Sequence, residues 1–230
     1  MPTDRSRRAD DGYVPDPERD TDAVIDGFFA HLAAALRGRL LPGDLIAGMR
    51  ARLGEIERAR SDMIVDDPSR YNLTMTAALV AAYEALRPRL GREDAIAVIQ
   101  AAFTEPLGPA VRAGTRAMLD GAPDPFRAMV EVCKSREHDS FGAAFTFRRP
   151  VDDGQRYYLD VQRCFYHDVL AACGAAELTP VMCAFDKAWI EAIDPDRHGF
   201  RFDRSTTLGH GGSYCPFHFT RTRPGPAASG

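Results

Sequence analysis

GAAFTFRRPVDDGQRYYLDVQRC, residues 142–164, breaks the period of the sequence. Upstream of it, apolar residues recur every three to four positions, the spacing of helices with one buried face. Within it they alternate with polar residues on either side of Val151-Asp152-Asp153-Gly154, which reads as two strands joined by a hairpin turn. A strand pair after a long run of helices points to an α+β architecture with its sheet in the second half of the chain.

In the upstream half, Val24, Ile25, Phe28, Phe29, Leu32 and Leu36 keep helical spacing after caps at Asp20 or Thr21. Pro42-Gly43-Asp44 ends that helix and starts another carrying Leu45, Met49, Leu53 and Ile56. Helical runs follow over residues 75–90, 92–103, 109–118 and 124–135, the last with Pro125 suited to a first turn. Downstream of the strand pair come two helical segments, Phe165 to Ala172 and Leu178 to Ile193. GFRFDRSTTL (199–208) and CPFHFTR (215–221) then read as a second hairpin around Gly209-His210-Gly211-Gly212. The expected fold is α+β: an N-terminal helical bundle, residues 21–139, packed on a small antiparallel sheet of order β-β-α-α-β-β within residues 140–221. Residues 1–20 and 222–230, polar with few apolar anchors, are expected to be a flexible arm and tail.

Composition narrows the function classes. A chain of 230 residues with net charge −4 has no basic footprint for nucleic acid. No apolar run approaches the roughly 18–20 residues that span a bilayer, and the N-terminus has no apolar core of a secretory signal. The expectation is a cytoplasmic protein that takes a small molecule and neither nucleic acid nor membrane, its oligomeric state left open. Its five cysteines then read as thiols or ligands in preference to disulfides.

Three of those cysteines lie at element boundaries or within the second half. Cys164 falls where a strand gives way to a helix, Cys183 inside the next helix and Cys215 at the start of the last strand. Asp186 follows Cys183 by three residues, so in a helix the two share a face. His210 sits on the turn before Cys215, and His167 one helical turn beyond Cys164. Plain packing competes with chemistry for each thiol, because free Cys often behaves as a small buried hydrophobe. Cys133, Cys173, His31 and His198 read as structural, and His218, alternating with Phe217 and Phe219, reads as facing solvent or a helix.

Two chemistries fit the remainder. Cys164, Cys183, Cys215 and His210 make up a zinc-type donor set but lack the ligand pair two to four residues apart that marks such sites; zinc or iron is compatible with the sequence and not required by it. Alternatively a thiol acts as a nucleophile, activated at a helix N-terminus (Cys164) or beside an imidazole (Cys215 with His210), with Asp186 orienting the histidine or a water. Gly209, Gly211 and Gly212 read first as turn residues. Their N–H groups can also meet an oxyanion or carboxylate, although the run lacks the following helix and Lys-Ser/Thr of a P-loop.

The runs YYLDVQRCFYHDVLAACGAAELTPVMCAFD and FRFDRSTTLGHGGSYCPFHF resemble the L-2-amino-thiazoline-4-carboxylic acid hydrolase family. The likeness rests on Cys164, Glu177-Leu178, Cys183 with Asp186, Arg204, Thr207-Leu208, Gly212, Cys215 and Phe217, and covers about residues 140–220. The ending is also similar to the close of the 4-vinyl reductase small-molecule-binding domain. Pro216 stands where the family is expected to carry Asp, and a proline without an N–H fits a sheet edge or a bulge. The resemblance implies hydrolytic opening of a small cyclic amidine-like thiazoline carboxylate, in a setting that the Ala- and Arg-rich composition makes bacterial. For that chemistry Cys183 and Cys215 are expected to line the reacting centre with Cys164 nearby, and Asp186 and His210 to move protons. Arg204 or Arg201 would meet the substrate carboxylate, with Thr207 and Gly212 on the substrate side. The rival is a non-catalytic small-molecule or metal-binding sensor built on the same cysteines.

Overall fold

The computed structural model describes residues 17–223. Most of the expected arm and tail, residues 1–16 and 224–230, lies outside them, and residues 17–20 open the first helix instead of belonging to an arm. Six helices occupy the first half: α1 (Pro17–Ala35), α2 (Leu45–Ala59), α3 (Asp67–Leu90), α4 (Arg92–Thr104), α5 (Gly108–Gly121) and α6 (Pro125–Arg136). A π-helical turn, Glu137–Phe141, leads to β1 (Thr146–Asp152) and β2 (Arg156–Arg163). The chain then crosses through α7 (Phe165–Ala172), α8 (Thr179–Phe185) and the single turns α9 (Lys187–Ile190) and α10 (Pro195–His198) to β3 (Phe200–Asp203) and β4 (Cys215–Arg221).

The α+β class and the antiparallel four-stranded sheet follow the sequence reading, but the order β-β-α-α-β-β needs two corrections. The segment expected as one helix from 178 to 193 breaks at Asp186 into α8 and α9, and with the added turn α10 the crossover holds four helices. In space the strands lie β1-β2-β4-β3, which makes β4 central and places it between β2 and β3. Its alternating Cys215, Phe217 and Phe219 pair in register with Val161, Leu159 and Tyr157 of β2, so the two most apolar strands share the inner face.

That central position also corrects the expectation for Pro216. It is neither on an edge strand nor in a bulge; it pairs with Asp160 of β2. The proline is tolerated because β3 is shorter than β4. The β3–β4 ladder runs only from Phe200↔Arg221 to Asp203↔His218, and Pro216 lies beyond its end. The one proline of β1, Pro150, sits in an irregularity of the β1–β2 register, on the edge of the sheet.

Helix starts are explained locally. Asp66 caps α3 in a reciprocal capping box with Ser69, and its second oxygen accepts the Ala143 N–H at 2.6 Å, tying α3 to the entrance of β1. Asp124 caps α6, with Pro125 in the first turn, and also receives Arg221 at 2.6 Å from the end of β4. One apolar cluster joins α1–α4 to Leu170, Leu178 and Val181 of the crossover. A second packs Leu119, Phe126 and Trp189 on Tyr157, Phe200 and Phe219 of the sheet, and a third gathers Leu73, Phe145, Val161, Phe165 and Cys215. The crossover helices thus share a core with the helical half, and the junction of helices and sheet is where the three half-chain thiols meet.

Candidate active site

Residues 204–214 link β3 to β4, and they are not the tight hairpin turn expected. Thr206-Thr207-Leu208 does not enter as a strand; residues 204–207 are irregular and Leu208–His210 forms one 3₁₀ turn. The Thr207 carbonyl accepts the N–H groups of His210 and Gly212, both at 2.9 Å, which closes the turn. Two glycines permit its close approach. A Cβ on Gly212 would stand 2.5 Å from Thr206 Oγ1, and one on Gly209 would meet the backbone of Thr179 and Pro180 at 3.0 Å. The glycine-rich run therefore presses a backbone turn against the start of α8.

The press brings side chains together. The Cys183 thiol donates to Thr207 Oγ1 at 3.4 Å, and that hydroxyl lies 2.8 Å from His210 Nδ1. With the thiol as donor, the Thr207 hydroxyl proton is free to go to the imidazole. Thr207 is 4% exposed, whereas His210 is on the surface, so the chain of bonds runs from a partly buried sulfur out to solvent. Cys215, buried at the start of β4, accepts the Leu208 N–H on its sulfur at 3.1 Å.

Burial pushes all of these thiols up. Cys215 rises to about 11 although the Leu208 N–H favours its thiolate, and Cys164 to about 12 although the N–H groups of His167 and Tyr166 oppose the shift. Cys164 does precede the first turn of α7, as expected, but desolvation outweighs the helix terminus there. For Cys183 burial also raises the pKa, against the Thr207 hydroxyl, the Arg204 charge and the Gly209 N–H, which all favour the thiolate. Each thiol is thus protonated at neutral pH, and Cys183 has the densest set of groups for removing or stabilising its charge.

Asp186 and Arg204 are placed differently from the sequence expectation. Asp186 does not reach His210; its Oδ2 pairs with Arg204 Nη1 at 2.6 Å and its Oδ1 accepts the Trp189 indole N–H at 2.9 Å. Arg204 also donates through Nη2 to the Cys183 carbonyl at 3.2 Å and lies over the Phe217 ring. Arg201, the other arginine considered for a substrate carboxylate, is exposed and paired with Asp203. Trp189 escaped the sequence reading, although its spacing of three from Asp186, like that of His210 from Thr207, is the signal that would have found it.

The remaining candidates separate from this centre. His167 turns its Nδ1 to Thr179 Oγ1 at 3.0 Å. Since the Thr179 hydroxyl proton goes to the Ala176 carbonyl, that imidazole nitrogen is the donor. Cys133 is half-buried and pushed to about 12 by desolvation, and His198 bridges Asp120 and the Asp194 N–H. His218 stands on the outer face of the sheet, stacked on Tyr158 at 4.2 Å and bonded to the buried Asp160. Among the described residues, Cys164, Cys183, Cys215 and His210 do not form a group arranged to hold a metal ion. A cavity of about 770 Å³ opens between α1, α2 and α3 and contains none of these residues. No described helix is long and apolar enough to cross a membrane.

Comparison with curated proteins and with solved structures gave no match. The family model described as L-2-amino-thiazoline-4-carboxylic acid hydrolase does match, over residues 71–219, more than half of the chain. The match begins within α3, well upstream of the strands and thiols that carry the resemblance in the sequence, and ends in β4. It spans the Thr207–His210 turn, Cys183 and Cys215 together with the helices packed behind them, and on that extent the chain belongs to the L-2-amino-thiazoline-4-carboxylic acid hydrolase family.

Proposed function

We propose that the protein is a hydrolase that opens a small cyclic amidine of the thiazoline-carboxylate type, with Cys183 as its nucleophile. The observation that carries this reading is the chain Cys183–Thr207–His210, with 3.4 and 2.8 Å between successive heteroatoms. A partly buried thiol whose pKa is raised needs a base to become a nucleophile. His210 is the base in reach, and Thr207 passes the proton on, accepting from sulfur and giving its own to Nδ1.

In such a substrate the carbon between ring sulfur and ring nitrogen is electrophilic. Cys183 sulfur adds to it as its proton passes to His210, and His210 returns the proton to the ring heteroatom whose bond to that carbon breaks. Water then adds to the same carbon with His210 again taking a proton, and the tetrahedral adduct collapses by expelling Cys183 sulfur, which recovers its proton. The Gly209 N–H turned towards Cys183 favours negative charge on that sulfur while it is the leaving group. Cys215 and Gly212 flank the same turn and would border a small molecule bound against it.

The desolvation that raises the pKa of each of these thiols favours the second reading, a sensor that binds such a molecule without turning it over. Assay of Cys183→Ser and Cys215→Ser with the thiazoline carboxylate separates the two. Cys183→Ser is expected to lose turnover at least about 100-fold with unchanged circular dichroism, and Cys215→Ser to lose less. Full turnover in Cys183→Ser rejects the thiol mechanism, and ligand binding by the wild-type protein without product supports the sensor.

A further inference from the structure

We infer that Asp186, Arg204 and Trp189 form a positioning clamp that holds the 204–214 connection against α8 and so keeps the Cys183 thiol on Thr207. The inference rests on the reading of Cys183 as the nucleophile and reassigns the arginine that sequence alone would give to the substrate carboxylate.

Two of the three Arg204 nitrogens are committed within the protein. Nη1 is 2.6 Å from Asp186 Oδ2, Nη2 is 3.2 Å from the Cys183 carbonyl, and the guanidinium lies 5.4 Å from the Phe217 ring centroid. The Arg204 and Asp186 side chains are 16% and 23% exposed, so the pair is shielded from water and its geometry is worth more than that of a surface ion pair. Two of the five N–H donors of this guanidinium, one on each terminal nitrogen, are thus taken by the protein, which leaves fewer for the bidentate capture of a carboxylate.

Asp186 is equally committed, since the Trp189 indole takes its other oxygen at 2.9 Å. Trp189 in turn is wedged against Phe202 at 4.9 Å and over Phe217 and Phe219 at 6.2 Å each, rings that belong to the sheet. The anchor therefore runs from sheet to indole to carboxylate to guanidinium, and ends on the backbone carbonyl of Cys183 itself. Arg204 is also the residue that opens the connection carrying Thr207 and His210. A thiol–hydroxyl contact of 3.4 Å is long and weak, so a small shift of that connection would separate sulfur from its proton path. Misplacement by about 1 Å can cost about 100-fold in rate.

The charges facing Cys183 come from several elements: Arg204 from the connection, Asp186 from the end of α8, Cys215 from β4 and Cys164 before α7, with His210 acting through Thr207. Of these only Arg204 is a permanent cation. Alkylation of Cys183 by iodoacetamide, followed by peptide mass spectrometry across pH in wild type, Arg204→Met and Arg204→Lys, reads the clamp without needing turnover. In Arg204→Met the alkylation profile is expected to move to higher pH, and kcat for the thiazoline carboxylate to fall about 10- to 100-fold at unchanged KM. Arg204→Lys, which keeps the charge and the packing stem, is expected to recover part of both and decides the matter if the Met variant does not fold.

A raised KM with unchanged kcat and an unmoved alkylation profile would make Arg204 a substrate-carboxylate partner and overturn the clamp. A lowered melting temperature with an unmoved profile would reduce the trio to a structural role and overturn it too. Failure of the nucleophile reading is visible separately, as turnover that survives in Cys183→Ser while the alkylation profile still responds to Arg204.

Discussion

The two strand pairs of the sheet are closed by unlike connections. Between β1 and β2, Asp153-Gly154-Gln155 makes a turn that satisfies itself: the Asp153 carboxylate accepts the N–H groups of Gln155 and Arg156 and the Arg156 guanidinium. Between β3 and β4, residues 204–214 spend their bonds elsewhere, on Cys183 and Asp186 of the crossover and in a close approach to Thr179 and Pro180. The first connection is closed by its own carboxylate and touched from outside by Arg221 of β4, whose backbone and side-chain N–H groups reach the Gln155 and Gly154 carbonyls at 2.9 Å. The second is held by distant residues, and for that reason its hydroxyl and imidazole are presented in a fixed place, as a reacting group requires.

The sharpest way to test that contrast is to remove the hydroxyl at the middle of the proton path. Thr207→Val keeps the shape and deletes the bond to both Cys183 and His210; turnover of the thiazoline carboxylate is expected to fall about 100-fold, with Thr207→Ser retaining most of it. No loss in the Val variant would mean that the long connection serves the fold alone. Next in size is a methyl group at Gly212. It would meet Thr206 at 2.5 Å and the Thr207 carbonyl at 3.1 Å, and Gly212→Ala is expected to cost about 1–3 kcal/mol in urea unfolding and to lower activity with it.

Alkaline pH probes the same side of the sheet. Cys215 and Cys164 hold their protons in the fold up to about 11 and about 12, whereas an unfolded thiol releases its proton at about 8.5. Between those values the native state binds more protons than the unfolded one, so stability is full below about pH 8 and falls as pH rises. The urea midpoint is expected to decline from pH 8 to pH 10.5, less steeply in Cys215→Ser; a flat profile would contradict the desolvated placement of these thiols. The smallest effect belongs to the short connection. Gly154 has φ of +77° with open space around it, so Gly154→Ala is expected to cost about 1 kcal/mol from backbone strain and leave turnover unchanged.

Much of the fold was legible because its causes are local. Alternation in Phe147–Val151 and Tyr157–Val161 marks strands, Asp153-Gly154 marks a turn, and Asp124-Pro125 marks a helix start. The break at Asp186 was not legible, because the residues that take its carboxylate include Arg204, eighteen positions away in sequence. The placement of β4 was missed for a similar reason: strand spacing along the chain does not say which of two new strands will join β2, and that is settled by which can cover Tyr157, Leu159 and Val161. The tie of Tyr83 in α3 to Glu177 before α8, at 2.7 Å, joins residues too far apart for any pattern to connect.

For the candidate site the division is similar. Cys183, His210 and Cys215 were visible as residue types suited to thiol chemistry, Thr207 only as a residue on the substrate side, and the turn was marked by its glycines. Sequence by itself determined which groups exist and which helices and strands carry them. Only the tertiary structure decided that Thr207 stands between sulfur and imidazole, and that Asp186 pairs with Arg204 instead of the histidine. The physical reason is that helix and strand periodicities follow from neighbours along the chain, whereas hydrogen bonds between elements depend on how those elements are packed.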